Sequence, residues 1–236
     1  MENIRSWMLR GLAAPGLALS LAGAAMAQAP DGFSRAVAAF NSGDFATALA
    51  GFRQSAAQGN NAALNNLGLM YANGWGVAED DAEAVRWYRQ AADQGNVKAM
   101  YALSVMYSSG EGVPQDGGLA MSWRLKAAKG GDSSAQQALG TDYRHGLNGV
   151  AENPVEAARW HGLAAAQGNL ISQKAMAWMY DRGEGVPADA VQSYVWWSLA
   201  AARGDSHATT EREKLASRMT PNQLAEGQRR LGSPAR

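Results

Sequence analysis

Residues 87–96 have the sequence WYRQAADQGN, in which two aromatic residues, a pair of alanines and a terminal Gly-Asn lie within ten positions. The same phrase returns as WRLKAAKGGD at 123–132, WHGLAAAQGN at 160–169 and WWSLAAARGD at 196–205. The four tryptophans are 36, 37 and 36 residues apart, and a period of this length indicates stacked structural repeats. The repeat therefore predicts a type of fold, but by itself it indicates no chemical function.

Two further columns keep the same period as the tryptophans. They are Tyr71, Tyr107, Tyr143 and Tyr180, and Gly74, Gly110, Gly146 and Gly183. Each copy has two stretches of helical apolar spacing on either side of a glycine-rich turn. One isolated hairpin could not bury its tryptophan, so neighbouring hairpins must stack. We expect an all-α, right-handed α/α solenoid of helix–turn–helix repeats, with the tryptophans in the core and the alanine pairs allowing close helix approach.

Polar residues at the predicted helix ends have the chemistry of caps. A short acceptor side chain lies seven residues before each tryptophan, where it can accept from the free amides of the second helix: Asp80, Asp116, Asn153 and Asp189. A glycine at the end of each copy can take the left-handed conformation that stops a helix. The residue after that glycine can cap the next first helix: Asn96, Asp132, Asn169 and Asp205.

Residues 61–205 resemble the Sel-one-like repeat family, which is related to the tetratricopeptide repeats. The resemblance rests on Leu67-Gly68 with Tyr71, on the turn motifs GWGV and GEGV, and on the Asp, Ala, Trp and AAxxG positions of the second helix. It implies four repeats, at 61–96, 97–132, 133–169 and 170–205. The third copy departs from the motif, because its turn GLNGV has one additional residue.

The segments that flank the repeats are interpreted as caps and a leader. Residues 28–60 resemble an N-terminal hairpin of the tetratricopeptide type, and residues 206–236 are expected to form two C-terminal capping helices and a tail. Residues 1–27 combine early arginines, an apolar run and a final Ala-Met-Ala, which is the pattern of a secretory signal peptide. The apolar run is shorter than the roughly 20 residues that span a bilayer. We expect cleavage after Ala27 and a periplasmic or secreted protein with no stable membrane anchor.

Composition and motifs argue against several classes of function. The 21 basic and 21 acidic residues are intermixed, so no nucleic-acid partner is indicated. The chain has no cysteine, and His145, His161 and His207 are far apart in sequence. No phosphate-binding loop, zinc-ligand spacing or Gly-x-Ser-x-Gly motif is present. We therefore expect no metal, no cofactor and no catalytic residue, and interpret the chain as a protein that is not an enzyme.

The family resemblance implies a binding surface, since first helices line the concave face of such repeats. Spacing from the Leu-Gly column places on that face a set of side chains that varies between copies. The predicted partner-binding residues are Asn65, Leu69, Asn73, Tyr101, Val105, Gln137, Thr141, Arg144, Lys174, Trp178 and Arg182. Trp and Arg are frequent interface anchors, so the cationic end of this set suits an extended peptide with carboxylate groups. The alternative is a solvated face with one incidental tryptophan.

Three functions fit these expectations to different degrees. The first is a scaffold that binds a protein or peptide, such as an envelope protein, as the resemblance implies. The second is a binder of glycan or peptidoglycan fragments on the same face. The third and weakest is a β-lactam-type hydrolase like the cysteine-rich subgroup of the family, whose paired cysteines this chain lacks.

Overall fold

Every regular element of the described chain is an α-helix. The computed structural model describes residues 31–232, and that part contains twelve helices and no strand. The helices are α1 (Gly32–Asn41), α2 (Phe45–Ala57), α3 (Asn61–Asn73), α4 (Asp81–Asp93), α5 (Val97–Ser109), α6 (Gly117–Lys129), α7 (Ser133–His145), α8 (Pro154–Ala166), α9 (Leu170–Arg182), α10 (Ala190–Ala201), α11 (Ser206–Ala216) and α12 (Pro221–Gly232). Neighbouring helices pair in series, which confirms the all-α solenoid class.

The helices belong to two compact units, one ending at Trp87 and the other beginning at Tyr88. The core of the first unit contains Phe52, Leu67 and Met70, all fully buried, with Trp87 packed against them. The second unit contains α5 to α12 and three buried clusters of its own. The predicted signal peptide, residues 1–27, lies outside the described residues. Between residues 31 and 232 no helix is both long and apolar enough to cross a membrane.

The predicted caps set the ends of the helices. In the first turn of α6 the amide of Leu119 donates to Asp116 Oδ1 at 2.9 Å, and α4, α8 and α10 begin in the same way. First helices have equivalent caps, as where the amide of Ala135 donates to Asp132 Oδ1 at 2.8 Å. Each first helix of the four repeats ends at a glycine with positive φ, between 62° and 81°. Capping chemistry thus gives the four first helices the same length, 13 residues, and a common register.

The tryptophans of the repeated column are buried to different extents. Trp160 is 4% exposed and lies in a cluster with Ala127, Ala128 and Leu139. Trp196 is half-buried and packs against two clusters of the second unit. Trp123 is half-buried as well, and Lys126 Nζ lies 4.2 Å from its ring centre. Alanines of the predicted pairs are buried beside the column, in agreement with close approach of the helices.

The second glycine of a GxGV turn packs against the hairpin before it. A Cβ at Gly76 would lie 2.6 Å from the carbonyl oxygen of Phe45, the first residue of α2. A Cβ at Gly185 would overlap the carbonyl of Pro154, the first residue of α8. Both glycines have φ near 70°, a conformation that L side chains rarely adopt. These turns therefore dock consecutive hairpins in addition to reversing the chain.

Candidate functional site

The candidate site is a surface of the second unit formed by equivalent positions of α5, α7 and α9. We call it the first-helix face, and its predicted members are Tyr101, Val105, Gln137, Thr141, Arg144, Lys174, Trp178 and Arg182. Each of these three helices has 13 residues between an Asn or Asp cap and a left-handed glycine. The side chains consequently recur at matched heights along neighbouring helices, so that the fold fixes positions while the sequence varies the groups.

Arg182 is the exposed member of this face, and it lies over the ring of the half-buried Trp178. The Arg182 guanidinium carbon lies 4.7 Å from the Trp178 ring centre, and the two residues are one helical turn apart. Trp178 is half-buried, because its ring meets that of Trp197 edge to face at 5.5 Å. Trp197 is 2% exposed and gives the outer tryptophan a rigid support. The pair therefore presents a cation on an immobilised aromatic ring.

The other two predicted cations of this face have acidic partners within the protein. Arg144 donates to Glu184 through Nε and an Nη atom, at 2.8 and 2.9 Å. Lys174 Nζ donates to Asp205 Oδ2 at 2.7 Å. The hydrogen bond from Arg144 lowers the pKa of Glu184, and that from Lys174 lowers the pKa of Asp205. Both carboxylates therefore stay ionised at neutral pH and neutralise their partners.

Arg182 differs from these cations because it forms no ion pair with any residue between 31 and 232. Its side chain is exposed, and its guanidinium lies over the Trp178 ring. Glu184 lies close enough for Arg182 to contribute to the lowering of its pKa, but Arg144 occupies both of its oxygens. Arg182 is thus the guanidinium of this face that can still bind an external anion.

The remaining predicted residues of the face are buried or half-buried. Gln137 is 7% exposed and donates from Nε2 to Thr141 Oγ1 at 3.0 Å. Tyr101 and Val105 are half-buried. Burial raises the pKa of Tyr101 to about 12, with Arg124 acting in the opposite direction. The Tyr101 hydroxyl therefore remains a neutral hydrogen-bonding group throughout the physiological pH range.

The three predicted residues of the first unit form a separate group on α3. Leu69 is 9% exposed and counts as core, whereas Asn65 and Asn73 are half-buried. Asn73 donates from its side-chain amide to the carbonyl of Leu69 at 2.8 Å, which is a bond within its own helix. Leu69 therefore has little surface available to a partner.

Two buried polar pairs of the second unit were not singled out from the sequence. Arg124 and Asp142 form an ion pair with side-chain exposures of 8% and 5%. Nδ1 of His161 lies 3.2 Å from Ser172 Oγ, and both residues are buried. Arg124 and His161 follow the tryptophan column by one residue, at the position that is Tyr88 and Trp197 in the other copies. A polar residue in this otherwise aromatic column is the sequence feature that could have revealed them.

Neither pair forms an accessible reactive centre. His161 is 2% exposed and Ser172 is 0% exposed, so a substrate has no direct approach to either side chain. Burial lowers the pKa of His161 to about 4, so its ring is neutral at physiological pH. Among residues 31–232, no group of three or more His, Asp or Glu side chains is arranged to hold a metal ion.

A serial array of capped helical hairpins with a variable face on its first helices defines a helical-repeat scaffold. The family model for the Sel1 repeat matches residues 61–96, 97–132, 133–169 and 170–205. The chain therefore belongs to the Sel1 repeat family. Sel1 repeat proteins are typically non-catalytic scaffolds, and their repeats generally mediate protein–protein interactions.

Solved structures show the same relationship. A protective antigen of uropathogenic Escherichia coli with an SLR fold is 35% identical, over 78% of this chain and 40% of its own, with a TM-score of 0.69. A Sel1 repeat protein from Oxalobacter formigenes is 36% identical, over 72% of this chain and 49% of its own, with a TM-score of 0.70. The matched region spans less than half the length of either protein. No curated protein matches the chain.

Proposed function

We propose that this chain is a non-catalytic, periplasmic or secreted scaffold that binds a protein or peptide partner through the first-helix face of its second unit. Membership of a family of interaction scaffolds supports this function. The observation that carries it is the exposed Arg182 stacked on the supported ring of Trp178. Trp and Arg are enriched among the residues that dominate binding energy at interfaces.

The partner's matching group is a carboxylate, from an acidic side chain or a chain terminus. Arg182 can form charge-assisted hydrogen bonds to such a group without breaking an internal ion pair. Arg144 and Lys174 contribute differently, since their bonds to Glu184 and Asp205 fix the surface on either side. The sequence predicts that all three cations are available to the ligand, whereas in this proposal Arg182 alone binds it.

A protein ligand fits this geometry better than a glycan. Sugar rings bind to tryptophan by stacking on an open aromatic face. At Trp178 a guanidinium already lies over the ring, and the edge contact with Trp197 limits its movement. Binding of a carboxylate leaves both contacts intact, whereas stacking of a sugar on the covered face requires displacement of Arg182.

The test compares two cation–π pairs that occupy different faces. The purified protein is titrated calorimetrically with synthetic acidic peptides and with the same peptides in neutral, amide-substituted form. Arg182→Ala removes the cation over Trp178, and Lys126→Ala removes the matching cation over Trp123 on a second helix. We expect Arg182→Ala to weaken acidic-peptide binding by about tenfold, equivalent to about 1.4 kcal/mol, with little change for Lys126→Ala.

Three results contradict the proposal. They are equal effects of the two substitutions, equal affinity for acidic and neutral peptides, and binding to peptidoglycan fragments with none to peptides. Circular dichroism of both variants serves as the control for folding. Because Arg182 is exposed and Lys126 is exposed, neither substitution removes core packing.

A further inference from the structure

Two ion pairs at equivalent repeat positions join α7 and α9 to the chain that follows them, but their charges are reversed. Arg144 of α7 donates to Glu184, 40 residues further along the chain. The equivalent residue of α9 is Asp181, and it accepts from Arg218, 37 residues further along. The first helix therefore supplies the cation in the third repeat and the anion in the fourth. In the fourth repeat the cation lies in the turn between α11 and α12.

The pair of Arg218 and Asp181 is the more open of the two. Arg144 and Glu184 have side-chain exposures of 22% and 28%, whereas the side chain of Arg218 is 61% exposed. Arg218 approaches Asp181 through Nη2 alone, at 3.2 and 3.3 Å from its two carboxylate oxygens. A guanidinium has five N–H donors in a fork that matches a carboxylate. Most of the donors of Arg218 are therefore available to a second carboxylate.

This open ion pair lies beside the aromatic support of Arg182. Asp181 and Arg182 follow Trp178 by three and four residues, so both side chains are its neighbours on the surface of α9. Met219, the residue after Arg218, packs with Trp178 against the same buried cluster. Trp178 is therefore accompanied by two guanidiniums, one over its ring and the other bonded to the adjacent Asp181.

Exchange of the Asp181 carboxylate for an external one has a small free-energy cost. An exposed ion pair contributes little to stability, because its charges stay hydrated and a long side chain loses conformational freedom. An incoming carboxylate that binds the free donors of Arg218 makes a contact of the same kind as the one it replaces. Asp181 is thus a competitor for Arg218 rather than a permanent partner.

We propose that Arg182 and Arg218 together bind a peptide segment with two acidic residues, one carboxylate at each guanidinium, and that Asp181 competes with the second carboxylate for Arg218. This inference rests on the proposed binding of a carboxylate at Arg182. It adds a second anchor and specifies a ligand with paired acidic residues. Once the first carboxylate is bound, the second contact forms within the complex, so a modest interaction at Arg218 raises the overall affinity.

The test uses calorimetric titration of the whole protein with capped peptides, acetylated and amidated so that glutamate supplies the only charge. One peptide has a single glutamate, and three others have two glutamates that are two, three or four positions apart. These spacings correspond to about 7 to 14 Å along an extended chain. We expect the best two-glutamate peptide to bind about fivefold more tightly than the one-glutamate peptide, since an exposed ion pair adds an effect of this size.

Variants at the second anchor test the assignment of Arg218. Arg218→Ala should abolish the fivefold advantage and leave the affinity for the one-glutamate peptide within about twofold of the wild type. Arg230→Ala is the matched control, because Arg230 is an exposed arginine of α12 that bonds to Gln192 of α10 at 3.1 Å. It should leave both affinities unchanged.

Asp181→Asn tests the competition directly. This variant should increase the advantage of the two-glutamate peptide by about threefold, because the internal carboxylate no longer occupies Arg218. The combination of Asp181→Asn with Arg218→Ala should abolish the advantage altogether. Circular dichroism of each variant is the control for folding, and Asp181→Asn decides the question if Arg218→Ala does not fold.

The outcomes separate this inference from the proposed function. Binding of the one-glutamate peptide that depends on Arg182, with no gain from a second glutamate at any spacing, would leave the proposed function standing and overturn the second anchor. An advantage that survives Arg218→Ala, or that Asp181→Asn leaves unchanged, would overturn the role of that ion pair. Absence of binding for every acidic peptide would overturn both proposals.

Discussion

Trp178 has both a packing role and a predicted binding role. Its contact with Trp197 belongs to the packing role, and its contact with Arg182 belongs to the binding role. From its position in the helix, Trp178→Ala is expected to leave the unfolding midpoint nearly unchanged and to weaken partner capture. The edge contact with Trp197 and the packing of Trp178 against the buried cluster of α10 and α11 change this expectation. We now expect Trp178→Ala to lower the free energy of unfolding by about 1 to 3 kcal/mol, measured by denaturant titration. An unchanged midpoint would show that this contact adds no stability.

His161 makes the stability of the second unit depend on pH. Burial, followed by the nearby charges of Arg144 and His145, lowers its folded-state pKa to about 4, and Glu184 acts in the opposite direction. An unfolded histidine titrates near pH 6.5, so the unfolded state binds a proton first. The contribution of neutral His161 is therefore complete above about pH 6.5 and is lost as pH falls towards 4.

The measurement compares the wild type with His161→Gln, which retains a polar side chain that does not titrate. Urea unfolding at about pH 7 and about pH 4.5 should show a loss for the wild type that exceeds the variant's loss by roughly 2 to 3 kcal/mol. The difference between the two proteins removes the contribution of the carboxylates, which titrate in both. Parallel pH dependence would show that His161 becomes protonated without cost in the folded state.

At the scale of the helix, the four tryptophans of one sequence column are not energetically equal. The repeat pattern predicts a loss of about 3 to 5 kcal/mol for Trp123→Ala, as for a fully buried tryptophan. From the structure we expect a loss of that size in the free energy of unfolding for Trp160→Ala, because Trp160 is 4% exposed. We expect a smaller loss for Trp123→Ala, because Trp123 is half-buried beneath Lys126. Chemical denaturation of Trp160→Ala and Trp123→Ala should therefore differ by about 2 kcal/mol. Equal losses would mean that partial exposure does not lessen the role of Trp123.

The docking of turns on helices gives a second test at this scale. Gly185→Ala places a methyl group on the Pro154 carbonyl, whereas Gly149→Ala places one in open space. Both positions have positive φ, at 69° and 83°, so the backbone strain of about 1 to 2 kcal/mol is common to both. We expect Gly185→Ala to cost at least about 2 kcal/mol more than Gly149→Ala. Similar unfolding free energies would contradict tight docking of the fourth-repeat turn.

For the molecule as a whole, sequence periodicity predicts the class of fold because each repeat meets the same packing and capping requirements. Asp116 and Asp132 could be assigned as caps from spacing alone, and their hydrogen bonds are those expected. The partners of Arg144 and Lys174 could not, because Glu184 and Asp205 lie 40 and 31 residues away and meet them only through the stacking of successive hairpins. Residue type predicted three cations on the first-helix face, and tertiary structure determined that, of these three, Arg182 alone lacks an ion pair within residues 31–232.

Export is a separate property of the chain, and it remains a prediction from the sequence of residues 1–27. Small residues at Ala25 and Ala27 match the specificity of a signal peptidase, which favours cleavage before Gln28. Intact-mass measurement of the native protein should therefore give a chain that begins at Gln28. Ala27→Leu should block processing and leave the leader attached, whereas Ala24→Leu, which lies outside the two small-residue positions, should be processed normally. Recovery of the full-length chain from the cytosol would contradict export. It would also place the first-helix face among cytosolic partners, so this measurement determines which extract supplies the candidate partners of that face.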